Sequence, residues 1–328
     1  MGGMAVVRFG LIGTNFITEW LLEQALLRED FALEAVYSRG MEKARSFAER
    51  YGAKKVFDTL GDLYSDKDVD AIYIASPNCC HYEQAMGALT QGKHVLVEKP
   101  AAPSETEFIS MLQAAKENGV LLLEAMRPAF SPGIAMVKRY IDDIAPVRYA
   151  RIAYCQYSSR YDAFKEGRVL NAFNPALKNG ALMDIGVYCI HVLAALFGKP
   201  DCVQARSMLL SNGLDGAGAV TAVYPDLLAQ ISYSKISDSR SGSELQGERG
   251  TLLIDDICNP KKLTVWPRGG EPTDIAVPVT EFGMGAEIDA FLRMIKEGGA
   301  GPFQQDTRVT LGIMDEVRVQ TGITFCSV

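Results

Sequence analysis

Residues 69–103 read VDAIYIASPNCCHYEQAMGALTQGKHVLVEKPAAP. Within them AIYIA (71–75) and HVLVE (94–98) are short, apolar runs separated by a segment of helix length. A strand buried on both faces has that composition, so strand, helix, strand predicts a βαβ unit of a parallel sheet. Open parallel sheets take ligands beyond the carboxyl ends of their strands. Here those ends carry Ser76-Pro77-Asn78, with His81 one turn later, and Glu98-Lys99-Pro100. A lysine directly after a buried strand is costly unless a pocket uses it, which makes Lys99 the expected functional centre. Pro100 admits a cis bond there.

Working outward, Ala5 to Ile12 is an apolar run that closes on Gly13-Thr14-Asn15, and a helical pattern follows from Phe16 to Arg28. This reads as the first βα turn of a dinucleotide fold. Gly10 and Gly13 would let the backbone bend and approach a pyrophosphate, whose charge suits the helix N-terminus at Thr14 to Phe16. Asn15 stands where a third glycine is usual, and asparagine tolerates left-handed backbone. A second strand, 31–37, ends in Ser38-Arg39 rather than an acid. A hydroxyl and a guanidinium suit the 2′-phosphate of NADP through charge-assisted bonds, with NAD kept open. Helices over 41–51 and 60–65 and a weak strand near Val56-Phe57 lead to the central stretch. After it come a helix from Ser104 to Asn118, opened by the capping box Ser104/Glu107, and a strand over 120–124. The pattern is α/β, a doubly wound parallel sheet over 1–124.

From Val147 the strands lengthen and alternate with period two: 147–157, 203–210, 217–224, 227–234, 251–254 and 262–266. Turns such as Tyr224-Pro225-Asp226 join them into a large, mostly antiparallel sheet. Helices over 133–142, 183–197, 286–297 and 309–321 would cover one face, and the open face would be a dimer surface. Residues 125–328 are therefore expected to form a second domain for substrate and oligomerisation.

That domain holds a second constellation. The segment 180–198 is apolar nearly all round, so it is a buried helix, yet it carries Asp184, Tyr188 and His191. The spacing i, i+4, i+7 would stack them along one face, and a buried polar stripe needs partners, which a substrate would supply. Arg127, after the last strand of the first domain, is a further cofactor candidate. Tyr157, Arg160 and Asn171 lie in polar and aromatic loops that could line a sugar pocket.

Composition narrows the partners. A net charge of −7 without clustered Lys or Arg argues against nucleic acid and anionic membranes, leaving small molecules. Seven cysteines without a CxxC pair indicate neither a zinc site nor a disulfide framework and suit a reducing cytoplasm. No signal peptide or bilayer-length apolar run is expected.

The stretches GLIGTNFI, VDAIYIASPNCCHYEQA, GKHVLVEKPAA, LLLEAMRPAF, GALMDIGVYCIH, GERGTLLI and MDEVRVQTGI resemble the Gfo/Idh/MocA family of oxidoreductases along essentially the whole chain. The resemblance implies a Rossmann domain, then an α/β domain whose open sheet makes a homodimer or homotetramer, and an NAD(P)-dependent dehydrogenase of sugars, polyols or diols. By position, Lys99 matches the catalytic lysine framed by Glu98 and Pro100, often with a cis Lys-Pro bond, and Asp184 matches the acid of the second domain. Tyr188 matches the tyrosine of the branch containing glucose-fructose oxidoreductase, xylose dehydrogenase and dimeric dihydrodiol dehydrogenase. Inositol dehydrogenases tend to have histidine there, a departure that points away from inositol. The implied chemistry is hydride transfer at a carbinol carbon, with Lys99 stabilising the oxygen, Tyr188 as acid/base and Asp184 orienting. Asn78 and His81 would lie near the nicotinamide. Some members of the fold are cofactor-sensing regulators and a few cleave glycosides with bound NAD. Intact Lys99 and Tyr188 argue against a pure regulator.

Overall fold

The computed structural model describes residues 6–278 and 284–325. The chain forms two compact units, residues 1–125 with 280–305, and residues 126–279 with 306–328.

In the first unit β1 (Val7–Ile12), β2 (Phe31–Tyr37), β3 (Lys55–Phe57), β4 (Ala71–Ile74), β5 (His94–Glu98) and β6 (Leu122–Ala125) form one parallel sheet. Its order is β3-β2-β1-β4-β5-β6, so the winding reverses between β1 and β4. A crevice opens beyond the strand ends at such a reversal. The intervening helices are α1 (Phe16–Ala25), α2 (Met41–Tyr51), α3 (Leu60–Ser65), α4 (Asn78–Thr90) and α5 (Glu105–Glu117). Val95, Leu96 and Val97 are fully buried, as a strand covered on both faces requires. The capping box is present: the Ser104 hydroxyl donates to Glu107 Oε2 (2.7 Å) and accepts from the Glu107 amide (3.3 Å).

The second unit begins with α6 (Arg127–Phe130), α7 (Pro132–Ile144), β7 (Val147–Cys155) and α8 (Tyr161–Lys165). Two 3-10 turns, a wide π-helical turn (Leu182–Gly186) and α9 (Val187–Phe197) follow. Then come β8 (Cys202–Leu209), β9 (Asp215–Val223), β10 (Leu228–Ser234), β11 (Ser243–Gly247), β12 (Gly250–Ile254), β13 (Lys262–Pro267) and β14 (Thr273–Ala276). The eight strands lie in the order β14-β13-β12-β11-β7-β10-β9-β8. Only β7 and β10 pair in parallel. Ala229, Ile231 and Tyr233 of β10 are buried, with α9 packed on that strand, while Met208, Val223, Leu228, Leu253 and Trp266 are exposed apolar residues of the same sheet.

Four features depart from the sequence reading. The helix expected over 286–297 to cover the second sheet is α10 (Met284–Glu297), and it packs on α1 of the first unit with Phe291 5.8 Å from Phe9 between ring centroids. Its apolar stripe fits that sheet's flank, so the first unit is not continuous in sequence. Strands β11 and β14 were not foreseen. Residues 175–197 are long and apolar enough for a bilayer span, contrary to expectation, but 78% of the apolar window is buried in the fold. The last helix, α11 (Gly301–Thr321), is also longer than expected.

Candidate functional site

In the first unit the turn from β1 into α1 is cross-braced. Gly13 has φ +109°, and a Cβ there would lie 2.5 Å from the Ala75 carbonyl oxygen at the end of β4. Only glycine lets the two segments pass this closely. Asn15 is not left-handed as expected; at φ −115° and ψ 177° it is extended. Its role is to cap α1, with Oδ1 accepting from the amides of Ile17 (2.9 Å) and Thr18 (3.3 Å). Its Nδ2 donates to the Ala75 carbonyl (2.7 Å), tying the turn to β4. Thr18 Oγ1 donates to the Gly13 carbonyl (2.9 Å). Thr14 and Phe16 therefore sit in a fixed turn at the amino end of a ten-residue helix. This cradle fits the pyrophosphate of a dinucleotide, because a side chain at 13 would fill it and the helix dipole favours an anion. Gly10 has a packing role: a Cβ would come 2.8 Å from Leu63 Cδ1, so it seats α3 against the sheet. Beyond β2 the Ser38 amide donates to Phe57 (3.2 Å), Ser38 Oγ accepts from Gly40 (3.4 Å), and Arg39 is exposed. Glu34 is buried inside β2 and paired with Lys54 at 2.7 Å.

Lys99 is half-buried and bracketed by anchored neighbours. Before it, Glu98 Oε1 accepts from the Tyr73 hydroxyl at 2.6 Å. After it, the Lys99-Pro100 bond is cis, and the Ala101 amide donates to buried Glu124 Oε1 (2.8 Å). His81, only 1% exposed, holds Nδ1 2.9 Å from the Pro100 carbonyl and Nε2 2.8 Å from the Ser76 carbonyl. The ring straps the ends of β4 and β5 together, a bracing role the sequence did not suggest. Burial lowers its pKa, against the two carbonyls. Ser76 Oγ donates to Gln84 Oε1 (2.6 Å), exposed Pro77 caps α4, and Asn78 opens it. The supporting Tyr73 and Glu124 were missed, although a hydroxyl inside an all-apolar strand demands a partner.

In the second unit the three residues of the expected polar stripe have different surroundings. The π-helical turn at 182–186 interposes an extra residue, so α-helical spacing does not carry across it. Asp184, its side chain 41% exposed, accepts from the ammonium of buried Lys235 at 2.8 Å. Tyr188 is buried, its ring 5.9 Å from that of Tyr154. Burial raises the pKa of the Tyr154 phenol, and the charge of Arg127, which opens α6, lowers it in part. His191 is 1% exposed, Nδ1 3.3 Å from the Thr310 hydroxyl, and burial depresses its pKa to about 3. It sits in the core of the second unit. Of the loop candidates, the Tyr157 hydroxyl donates to Asp162 (2.8 Å), Arg160 is exposed, and the Asn171 carbonyl accepts from Asn179 Nδ2 at 2.5 Å.

Asp215 and Lys235 were not read from the sequence. Lys235 follows β10 directly, the same signal that marked Lys99. Asp215 is buried and accepts from the Leu182 amide (2.7 Å) at the start of the π turn. Burial raises its pKa to about 6. A carboxyl raised from 3.8 in the fold stabilises fully below pH 3.8 and loses that contribution as pH rises through about 6, roughly 3 kcal/mol in all. Asp215→Asn should therefore flatten the stability change between pH 4 and 6. Urea melts of both proteins across that window check it, and parallel curves would refute it. Among the described residues no group of three or more His, Cys, Asp or Glu could hold a metal, and Cys79, Cys155, Cys189 and Cys202 are free thiols. Cys326 lies outside the described residues.

Known proteins agree with this architecture. Residues 7–126 match the model of an oxidoreductase family with an NAD-binding Rossmann fold, and residues 135–253 match the GFO/IDH/MocA C-terminal domain. The chain is 45% identical to the scyllo-inositol 2-dehydrogenase (NADP(+)) IolU of Bacillus subtilis over 98% of both chains. It is 27% identical to the trans-1,2-dihydrobenzene-1,2-diol dehydrogenase of Oryctolagus cuniculus, again over 98% of each. A 3-ketoreductase from Actinomadura kijaniata, solved with NADP and TDP-benzene, shares the fold at a TM-score of 0.85 and 22% identity, covering 96% of this chain and 98% of that one. With both family models matched in sequence order on the parallel and the antiparallel unit, the chain belongs to the Gfo/Idh/MocA oxidoreductases.

Proposed function

We propose that this enzyme is an NADP-dependent dehydrogenase that oxidises a ring secondary alcohol of a cyclitol or related polyol, with scyllo-inositol the leading substrate. The observation that carries this reading is the 45% identity, end to end, to a relative named for that reaction. It displaces the expectation that Tyr188 points away from inositol. Half-buried Ser38 and exposed Arg39 after β2, in place of an acid, support the 2′-phosphate. A nicotinamide held beyond the strand ends would supply the acceptor for the hydride of the carbinol carbon. Lys99 steadies the reacting oxygen as negative charge develops on it, Tyr188 receives the hydroxyl proton, and Asp184 orients the polyol.

Absorbance at 340 nm with scyllo-inositol, aldoses and aromatic trans-diols tests the reading. Reduction of NADP by none of them, despite tight cofactor binding, would overturn it. Arg39→Ala should weaken NADP roughly tenfold and leave NAD unchanged, as loss of one exposed charge-assisted contact does. Equal losses for both cofactors would remove Arg39 from phosphate recognition.

The exposed apolar residues Met208, Val223, Leu228, Leu253 and Trp266 support self-association of the second unit's sheet into a homodimer or homotetramer, and the free thiols support a cytoplasmic home. Light scattering at micromolar concentration should give a multiple of 35.8 kDa; a monomer would refute the interface.

A further inference from the structure

Lys235 is 2% exposed, yet its ammonium is aimed at a group that reaches solvent. It donates to Asp184 Oδ2 (2.8 Å) and to the Ala172 carbonyl (3.1 Å), and lies 4.9 Å from the centroid of the Phe173 ring. Its backbone is fixed on both sides, the amide donating to Gly216 (2.9 Å) and the carbonyl accepting from Ser158 (2.9 Å). One residue thus joins the start of β9, the loop after β7, the 3-10 turn Asn171–Phe173 and the π turn that bears Asp184.

The exposures are unequal in an informative way. The lysine is sealed, while the Asp184 side chain is 41% exposed, so this ion pair ends at a surface that a ligand can meet. A buried cation is tolerated when all its donors are engaged, and here two oxygens and a ring face engage them. Phe173 continues outward as a run of rings: Phe164 stacks on it at 5.4 Å, and Tyr161 stacks on Phe164 at 6.1 Å. A carboxylate beside an aromatic wall is the chemistry that recognises a polyol ring, whose hydroxyls donate and whose C–H face stacks.

We propose that Lys235 is the positioning residue that locks Asp184 and the aromatic segment 161–173 into one preset arrangement for the polyol. This rests on the substrate reading above. A mere structural pair would affect stability alone.

Lys235→Met keeps the stem and removes the charge, and Lys235→Arg keeps the charge. The double variant Asp184→Asn with Lys235→Met leaves neither partner's charge unpaired, so it stands in should the single variant not fold. Folding is judged by circular dichroism. Lys235→Met should lower kcat/KM for scyllo-inositol by on the order of 10²-fold, as a misplaced binding group does, with the loss mainly in KM and with NADP affinity within twofold of wild type. Lys235→Arg should recover part of it. Chymotrypsin should cut within 157–173 at least several-fold faster in both Met-bearing variants, because the tie to Ala172 is lost in each. Wild-type KM in a folded Lys235→Met, or wild-type protection in either Met variant, would overturn the proposal. If the wild-type enzyme oxidises no polyol, the substrate reading falls, and the chymotrypsin rates alone decide whether Lys235 positions the segment.

Discussion

Lys99→Met is expected to lower kcat by about 10³-fold, the upper range for removing one donor from a developing oxyanion, with NADP affinity held within a few-fold. Methionine keeps the length of the stem and loses the ammonium. The backbone around it has independent anchors, Tyr73 on Glu98, His81 on Pro100 and Glu124 on Ala101, so the loop should keep its course. Single-turnover absorbance at 340 nm measures the chemical step, and a fluorescence titration measures the cofactor. Turnover within tenfold of wild type would take Lys99 out of the chemistry.

Gly13→Ala should raise the NADP Kd by about 10²-fold and destabilise the chain by about 1–3 kcal/mol. At φ +109° an L side chain is strained, and the new methyl carbon would lie 2.5 Å from the Ala75 carbonyl oxygen, which cannot yield without moving the end of β4. The same oxygen accepts from Asn15, so the cap of α1 would shift with it. Thermal melts with and without NADP separate the two effects, since a ligand that binds only the folded state raises Tm in proportion to its affinity. An undiminished NADP-induced rise in Gly13→Ala would show that this turn does not hold the cofactor.

The parallel sheet was legible because its strands are short, mostly apolar runs, several of which lead into glycine, serine or lysine. The second sheet was legible where apolar residues alternate. SELQG at 243–247 and TDIA at 273–276 carry too few apolar residues to declare themselves as strands. The destination of α10 could not be read locally: an amphipathic stripe states that it needs a surface and not which one. The stacking of Asp184, Tyr188 and His191 was argued from helical spacing alone. It presumed 3.6 residues per turn, and the wide turn at 182–186 breaks that count. Lys235 was legible only in part: it follows a strand directly as Lys99 does, but β10 alternates buried and exposed positions. Which carboxylate Lys235 would meet depends on a pairing between residues 51 apart in sequence.

The return of residues 280–305 to the first unit bears on how the protein is made. As the chain leaves the ribosome, the nucleotide-binding sheet is complete by Ala125, but Phe291, the partner of Phe9, is not yet synthesised. The nascent sheet must keep an uncovered flank until nearly the whole message has been translated, and a gene fragment ending at residue 125 would encode a sheet that stays uncovered.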